Sequence, residues 1–148
     1  MSSTSTDPIT IERVAKALET IGLFPFLAGQ TQIAAILPNR TIRIVLPEGS
    51  PAQGVAEYPR RFHACHRDTL SEVVRTFNAT TYVPKAALVT TEEGMLSVRF
   101  FHCFNWVVGA TDTQIKGEIS QFILSCIAVQ NRLDEQFVDP WAKEAPNA

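Results

Sequence analysis

The chain has 148 residues, of which 45% are hydrophobic and 19% are charged, so it is long enough for one domain with a buried core. Its formal net charge of −2 removes the long-range attraction that nucleic acid or an anionic membrane surface requires, and we expect neither as a partner. The three cysteines are an odd number without a C-x-x-C spacing, which favours reduced thiols over a disulfide framework.

The two ends of the chain show little periodicity. The first eight residues are rich in Ser and Thr and contain neither the basic nor the apolar region of a signal peptide. No segment approaches the ~18 apolar residues of a membrane span. We therefore expect a flexible tail over 1–8, a single domain over 9–138, a loosely held tail over 139–148, and a cytoplasmic protein.

Three segments have apolar residues at helical spacing. The first covers 11–21, with Thr10 as a candidate N-cap and Gly22 as a candidate stop. The second covers 69–77 and begins with the capping-box pair Thr69 and Glu72. The third covers about 113–137 and is long enough to lie across most of a sheet.

Strand patterns lie between these helices. Two β-rich runs, 31–37 and 41–46, flank the turn residues 38–40 and predict the first two strands. Residues 55–65 predict a weaker third strand, which Pro59 restricts to an edge or a bulge because proline cannot donate a backbone hydrogen bond. Two further runs, 86–91 and 95–104, form the strongest hairpin signal, because Gly94 between them supplies the positive φ that a tight turn needs.

The predicted order is α-β-β-β-α-β-β-α, an α+β fold with an antiparallel sheet packed against helices. The chain resembles the bacterial YbjN-like family over about 9–138, by this order and by two local stretches. These are FNATTYVPKA, which contains Phe77-Asn78 and Pro84-Lys85-Ala86, and the EEG turn before LSVRFFHCF. Members of that family are described as candidate sensory transduction regulators. The family is similar in fold to type III secretion chaperones, which are small dimeric proteins.

Catalytic motifs are not found. The sequence contains no G-x-S-x-G, no G-x-x-x-x-G-K-[ST], no H-E-x-x-H and no G-x-G-x-x-G, so neither nucleophile activation nor phosphate binding has its usual scaffold. Glu92 and Glu93 fall in the predicted hairpin turn, where solvation is unsuitable for general acid catalysis. We expect a non-enzymatic protein without a cofactor.

Histidines and cysteines occur in two short stretches. The first contains His63, Cys65 and His66, and the second contains His102 and Cys103. Because side chains alternate between the faces of a strand, at most three of these groups can converge, and we predict no metal site. Whether His63, Cys65 and His102 meet is left open.

A basic stretch between Tyr58 and Arg67 interleaves cations with aromatic residues, as in some nucleic-acid-binding proteins. Alternation along a strand places Arg60 and Arg61 on opposite faces, which divides the charge. Nucleic acid is therefore not expected here, although a local acidic partner stays open.

Apolar side chains exceed what the helix stripes need. Alternation along 96–104 requires one of Phe100 and Phe101 to point away from the main core, and an aromatic left outside suggests an interface. Trp106, Phe24 and Phe26 lie in predicted loops near element ends and add to this surplus. In the alternative interpretation, the loops fold over the sheet and bury these rings.

The second helix is the other candidate contact surface. The resemblance to secretion chaperones implies self-association through this element, with contacts from Leu70, Val73, Val74 and Phe77. The same four residues also suffice as the core stripe of a monomer.

The sequence thus predicts a non-enzymatic, homodimeric protein-binding module. It would act as a regulator or chaperone-like adaptor that buries a segment of an unidentified partner protein against apolar surface, with an extended peptide pairing to a sheet edge. The alternative is a small-ligand sensor with an apolar pocket between the sheet and the last helix. The partner's identity, the dimer geometry and the exposed face of the sheet are left open.

Overall fold

The computed structural model describes residues 7–38 and 40–137, which form three α-helices and six β-strands. In chain order these are α1 (Ile11–Ile21), β1 (Pro25–Leu27), β2 (Gln32–Leu37), β3 (Arg40–Val45), β4 (Gln53–Glu57), α2 (Arg67–Thr80), β5 (Lys85–Thr90), β6 (Leu96–Cys103) and α3 (Asp112–Gln136). A short 3₁₀ turn, Ala64–His66, leads into α2. The predicted tail over 139–148 and most of that over 1–8 lie outside the described residues, as does Asn39 of the first turn.

The strands form one antiparallel sheet in the order β1-β2-β3-β4-β6-β5. Strands that follow one another in the chain are neighbours in the sheet, except that β4 and β5 are not. β6 lies between them, and β5 is therefore at the edge. This arrangement confirms the predicted α+β class and the antiparallel sheet packed against helices. It also gives the sheet two edges of different origin, β1 from the N-terminal half and β5 from the late hairpin.

The first strand was not predicted. Residues 25–27 were assigned to a loop, whereas they pair with β2 in the register Pro25 to Ala35, Phe26 to Ala34 and Leu27 to Ile33. Four strands therefore precede α2 where the sequence predicted three. Pro25 obscures the pattern, because a proline near a short apolar run is typical of a loop and is tolerated only at the edge of a sheet.

The third predicted strand was wrong in its extent. β4 covers Gln53–Glu57 instead of 55–65, and it lies in the interior of the sheet between β3 and β6. The regular strand ends before Pro59, where the ladder would lose a donor. Tyr58 N–H donates to the Val98 carbonyl at 2.8 Å, and Phe62 exchanges hydrogen bonds with Leu96. Three residues therefore lie opposite one, so of the two predicted alternatives, an edge or a bulge, the structure has the bulge.

The helix ends follow the sequence to different degrees. The N-cap of α1 is confirmed, because the Thr10 hydroxyl accepts a hydrogen bond from Arg13 N–H at 3.2 Å, and Gly22 ends the helix at φ +102°. The α3 start is also as predicted, with a capping box between Thr111 and Gln114. The proposed Thr69 cap of α2 was wrong, since that helix begins two residues earlier, directly from the 3₁₀ turn.

The helices cover one face of the sheet. Phe122 of α3 lies against Gly54, where an added Cβ would come within 2.6 Å of the ring, so only glycine fits there. Phe77 of α2 packs edge-on against Phe100. The other face, called the open face below, carries the alternate residues of each strand, and no helix among the described residues lies over it.

Candidate protein-binding surface

Strand β1 is a short edge strand with exposed apolar side chains. The segment Leu23 to Leu27 follows the Gly22 stop of α1 and is apolar throughout, so it has no polar side to present to water. Its chain turns along β2 and pairs with that strand alone. This placement leaves large side chains at the rim of the sheet instead of inside it.

Three side chains of this segment and one of the neighbouring strand β2 are more than half exposed. Their exposed fractions are 80% for Phe24, 53% for Phe26, 69% for Leu27 and 59% for Ile36 of β2. We call this set the β1 edge patch. Singly exposed apolar residues are common on protein surfaces, whereas several large apolar groups around one strand are typical of a contact surface.

The β1 edge patch wraps around the rim. Phe26 lies opposite Ala34, and Ile36 is two residues further along the same strand, so both side chains lie on the open face. Leu27 alternates with Phe26 and lies on the helix-covered side. A bound segment could therefore contact apolar groups on both sides of the edge strand.

The backbone of β1 has unused pairing capacity. Ala28 N–H donates to the Gln32 carbonyl at 3.0 Å, so the ladder hydrogen bonds of this strand fall on Ala28 and Phe26. The alternation of an antiparallel pair turns the N–H and C=O of Leu27 outward. Pro25 has no N–H, which limits the number of hydrogen bonds that another strand can make here.

The opposite edge, β5, is covered by α2. The Asn78 side-chain amide donates to the Ala86 carbonyl and accepts from the Ala86 N–H, both at 2.8 Å, and so occupies the outward groups of that residue as a strand would. Lys85 Nζ donates to the carbonyls of Asn78 and Thr81 at the end of the helix. The stretch that carried the family resemblance therefore closes an edge.

The four predicted contacts on α2 lie at different depths. Leu70 is 1% exposed and belongs to the core of the single chain, while Val73, Val74 and Phe77 are partly buried against it. Val73 and Phe77 also line a groove of about 540 Å³ between α2 and α3, together with Val129 and Leu133. Part of the predicted surface is thus accessible from this groove.

The three aromatic candidates separate in the same way. Phe100 is buried on the helix-covered face, and Phe101 is partly exposed on the open face, so the predicted division between the two rings is observed. Trp106 is 5% exposed, stacks on Phe104 with ring centroids 4.4 Å apart, and donates its indole N–H to Glu118. The Trp106 side chain is buried, as the alternative interpretation required, whereas Val107 and Val108 of the same loop are exposed and so are Phe24 and Phe26.

The histidines and cysteines do not form a cluster. His63 accepts a hydrogen bond from Cys65 N–H in the 3₁₀ turn, whereas His102 packs between Phe104 and Phe122, and burial lowers the pKa of its imidazole. Within residues 7–38 and 40–137, no three His, Cys, Asp or Glu side chains are placed to hold a metal ion. The open question about His63, Cys65 and His102 is thereby answered.

The space between the sheet and α3 is filled by aromatic rings. Phe122 covers Gly54 and packs against Phe104, and both rings are almost fully buried. The alternative function required an apolar pocket between the sheet and α3, and aromatic rings fill that place. An accessible groove lies between α2 and α3 instead.

Sequence reasoning missed Leu27 and Ile36 and placed Phe26 in a loop. The available signal was the unbroken apolar run of residues 23–27 directly after a helix stop, followed by a β-rich segment long enough to pair with it. The strand that contains Ile36 was predicted correctly. The face on which Ile36 lies could not be assigned, because β1 was not known.

None of the helices within the described part of the chain is both long and apolar enough to cross a membrane.

The chain matches no family model and no curated protein. Among solved structures it is similar to YbjN of E. coli, described as a candidate transcription regulator, with a TM-score of 0.70. The match covers 89% of this chain and 96% of that chain at 15% sequence identity. The YbjN-like fold predicted from the order of elements is therefore confirmed, while identity this low establishes the fold alone.

Proposed function

We propose that the protein is a non-enzymatic protein-binding module of the regulator or adaptor kind, which acts in the cytoplasm and binds an extended apolar segment of a partner along the β1 edge patch. The proposal rests on one observation. Four large apolar side chains, each more than half exposed, surround a strand whose outer edge is unpaired among the described residues.

Side-chain burial would supply most of the affinity. Burying the exposed half of a large apolar side chain is worth about 1–1.5 kcal/mol, so four of them give on the order of 5 kcal/mol before the entropy of association is subtracted. Backbone pairing adds little, because Pro25 lacks an N–H and β1 has only three residues. We therefore expect weak, reversible binding that suits a regulator better than a permanent complex.

The comparison with YbjN agrees with this role without specifying it. That protein is described as a candidate regulator, and its description names no enzymatic activity. A shared fold hosts many functions, so the partner of this chain has to be found by experiment.

Affinity capture from native cytosol tests the proposal. The bait is the full chain, compared with the double variant Phe26→Thr/Ile36→Thr, which removes two apolar groups from the β1 edge patch and places a residue of good β-propensity in both strands. We expect a stoichiometric partner on the wild-type protein and at least a tenfold loss on the double variant.

The matched control is Leu124→Thr, which removes an equally exposed apolar side chain from α3, 66% exposed in the wild-type protein. Capture by this variant should equal that of the wild type. Equal capture by all three baits would show that the partner binds elsewhere, and a bait that captures no protein would contradict the adaptor role.

We also propose that the protein forms a homodimer through α2. The groove between α2 and α3 leaves Val73 and Phe77 accessible, and the chaperone-like resemblance implies this helix. Sedimentation of the wild type and of Val73→Glu at equal concentration tests it, with Ser71→Glu as a control that adds the same charge at an exposed position of α2 outside the groove. A monomeric wild type at micromolar concentration would contradict the proposal.

The small-ligand alternative has one observation in its favour, the 540 Å³ groove with its apolar floor between α2 and α3. A ligand that binds only the folded chain raises its melting temperature, so thermal-shift screening separates the two functions. Stabilisation by a small apolar molecule that Phe77→Ala abolishes would favour the sensor.

A further inference from the structure

The bulge after β4 separates the two adjacent arginines. Its ends are fixed by backbone hydrogen bonds from Tyr58 to Val98 and between Phe62 and Leu96, so residues 59–61 lie opposite Ser97. Arg60 lies on the helix side, where it donates to the Phe137 carbonyl and its guanidinium carbon lies 5.5 Å from the centre of the Phe62 ring. Arg61 is left on the other side, beside the open face.

Arg61 faces a concave space on the open face. The cavity has a volume of about 320 Å³, within the range of small-molecule sites. Arg43 of β3 and Glu57 of β4 line it together with Arg61, and Ser97, 5% exposed, and Thr41 add hydroxyl groups. Cationic groups from two separate elements therefore converge on one depression.

The charges in this depression are not balanced. Glu57 is held by Arg99, which donates to the same carboxylate oxygen from Nε at 3.1 Å and from a terminal nitrogen at 2.7 Å. Arg43 forms an ion pair with that oxygen at 3.7 Å, although this distance is too long for a hydrogen bond. The single carboxylate in the lining thus accepts its hydrogen bonds from Arg99, which lies outside the lining, and it faces Arg43 as well, so the cluster carries more positive than negative charge.

Arg61 makes no hydrogen bond to any residue in the described part of the chain. Its one identified charge neighbour is Glu93 in the hairpin turn, whose carboxyl pKa is lowered by hydrogen bonds and, to a smaller degree, by Arg61. The other cations near this region are engaged elsewhere. Arg40 also lines the depression but donates to Ile127 and Asn131 of α3, and Lys85 donates to the end of α2.

We propose that this depression, called the bulge site, binds the oxyanion group of a small molecule, a phosphate or a carboxylate, between the guanidinium groups of Arg43 and Arg61. Planar guanidinium groups match the geometry of both oxyanions, and the hydroxyl groups of Ser97 and Thr41 add neutral donors. The charge distribution favours a small ligand over nucleic acid, because the positive charge is confined to one depression in a chain of net charge −2.

Glu57 gives the site a distinctive signature. Its carboxylate lies in the wall and repels an incoming oxyanion, while Arg99 holds it in place. Removing this charge should strengthen oxyanion binding, whereas removing either lining arginine should weaken it. A purely structural role for the three residues would not produce opposite effects on affinity.

The test is calorimetric titration of the full chain with two probes, pyrophosphate and citrate, at low ionic strength. We expect millimolar or tighter binding of at least one probe, a loss of at least fivefold in Arg43→Gln and in Arg61→Gln, and a gain of at least threefold in Glu57→Gln. Preference for pyrophosphate or for citrate then identifies a phosphate or a carboxylate as the natural group.

The matched control is Arg75→Gln, which removes an exposed arginine that pairs with Glu72 on α2. It lowers the net charge equally and should leave both affinities unchanged. Two results would overturn the proposal. The first is that neither probe binds at a concentration of about 10 mM, tenfold above the expected millimolar range. The second is equal weakening of binding by Arg75→Gln, Arg43→Gln and Arg61→Gln, which would indicate general charge attraction. Because Glu57→Gln is expected to increase affinity, impaired folding cannot imitate that result.

Discussion

The two edges of the sheet differ in how their backbone groups are treated. At β5, the Asn78 amide occupies both outward groups of Ala86, and α2 lies along the strand. At β1, the described chain supplies no such cover, and the side chains around the strand are apolar and exposed. The chain thus closes one edge with a specific polar side chain and leaves the other available.

This difference is informative because an open edge is a liability. Unpaired strands template aggregation, and natural proteins shorten them, charge them or cover them. β1 is short and contains Pro25, which restrains extended pairing, but it carries no charge, and one exposed aromatic residue lies within it and another directly precedes it. An edge that is limited in length yet kept apolar is suited to a chosen partner, and this is the basis of the proposed function.

The largest effect should follow from opening the closed edge. Asn78→Ala removes two hydrogen bonds to a buried backbone, so we expect the free energy of unfolding to fall by about 2 kcal/mol, measured by urea denaturation. Thr76→Ala, an exposed change on the same helix, is the control and should stay within about 0.5 kcal/mol of the wild type. An equally small effect of Asn78→Ala would mean that helix packing alone closes this edge.

Cysteine labelling shows whether opening an edge reaches the core. Cys126 is 1% exposed, and burial raises the pKa of its thiol from 9.0 to about 12, so at pH 8 it reacts only from an opened state. In a Cys65→Ser/Cys103→Ser background, Asn78→Ala should speed its labelling about 30-fold, in proportion to the lost 2 kcal/mol. An unchanged rate would confine the opening to β5.

The same thiol gives a pH dependence with a defined sign. Its folded-state pKa is raised, so the proton is held in the folded chain and released from the unfolded chain above about pH 9. Cys126 therefore contributes its full stability below pH 9, and that contribution is lost as the pH rises towards 12. Urea denaturation of Cys126→Ala should show a shallower decline than the parent over this window, and parallel curves would contradict the burial argument.

A smaller effect is expected at the end of α2. Lys85→Met keeps the apolar stem of the side chain but removes the hydrogen bonds from Nζ to the carbonyls of Asn78 and Thr81, at 2.9 and 2.6 Å. We expect a loss of about 1 kcal/mol in the free energy of unfolding, because terminal carbonyls of a helix lose a cation that satisfies them. Lys16→Met on the exposed face of α1 is the control. A matching loss there would assign the effect to hydrophobic surface and not to the helix end.

The sequence predicted the elements whose signals are local. The helix of residues 11–21 and the hairpin turn at Gly94 were correct, because an N-cap threonine, a helical stripe and a positive-φ glycine each depend on a few neighbouring residues. At Pro59 the sequence predicted an edge or a bulge, since the missing N–H interrupts the ladder wherever the strand lies, and the fold decided between the two.

What could not be predicted depends on tertiary neighbours. β1 becomes a strand only because β2 is beside it, and three residues containing a proline have no periodicity of their own. Trp106 was considered for an interface because a loop residue carries no burial pattern, and its stacking on Phe104 appears only in the fold. The bulge site joins Arg61 of the bulge to residues of β3, β4 and β6, so the argument from alternation could separate Arg60 from Arg61 but could not bring Arg43 to Arg61.

The smallest change in stability should come from a substitution at the open edge, β1. This substitution also tests the proposed binding role of that edge most directly. Phe26→Thr removes a ring that is 53% exposed and keeps a side chain with good β-propensity, so the free energy of unfolding should change by less than about 0.5 kcal/mol. Labelling of Cys126 should keep its rate. If Phe26 is instead part of the structural core, urea denaturation will show a loss near that of Asn78→Ala, and the two edges would then be equivalent supports of the sheet. A stable variant that no longer captures a partner would separate function from folding at this strand, because the only property removed is the exposed ring.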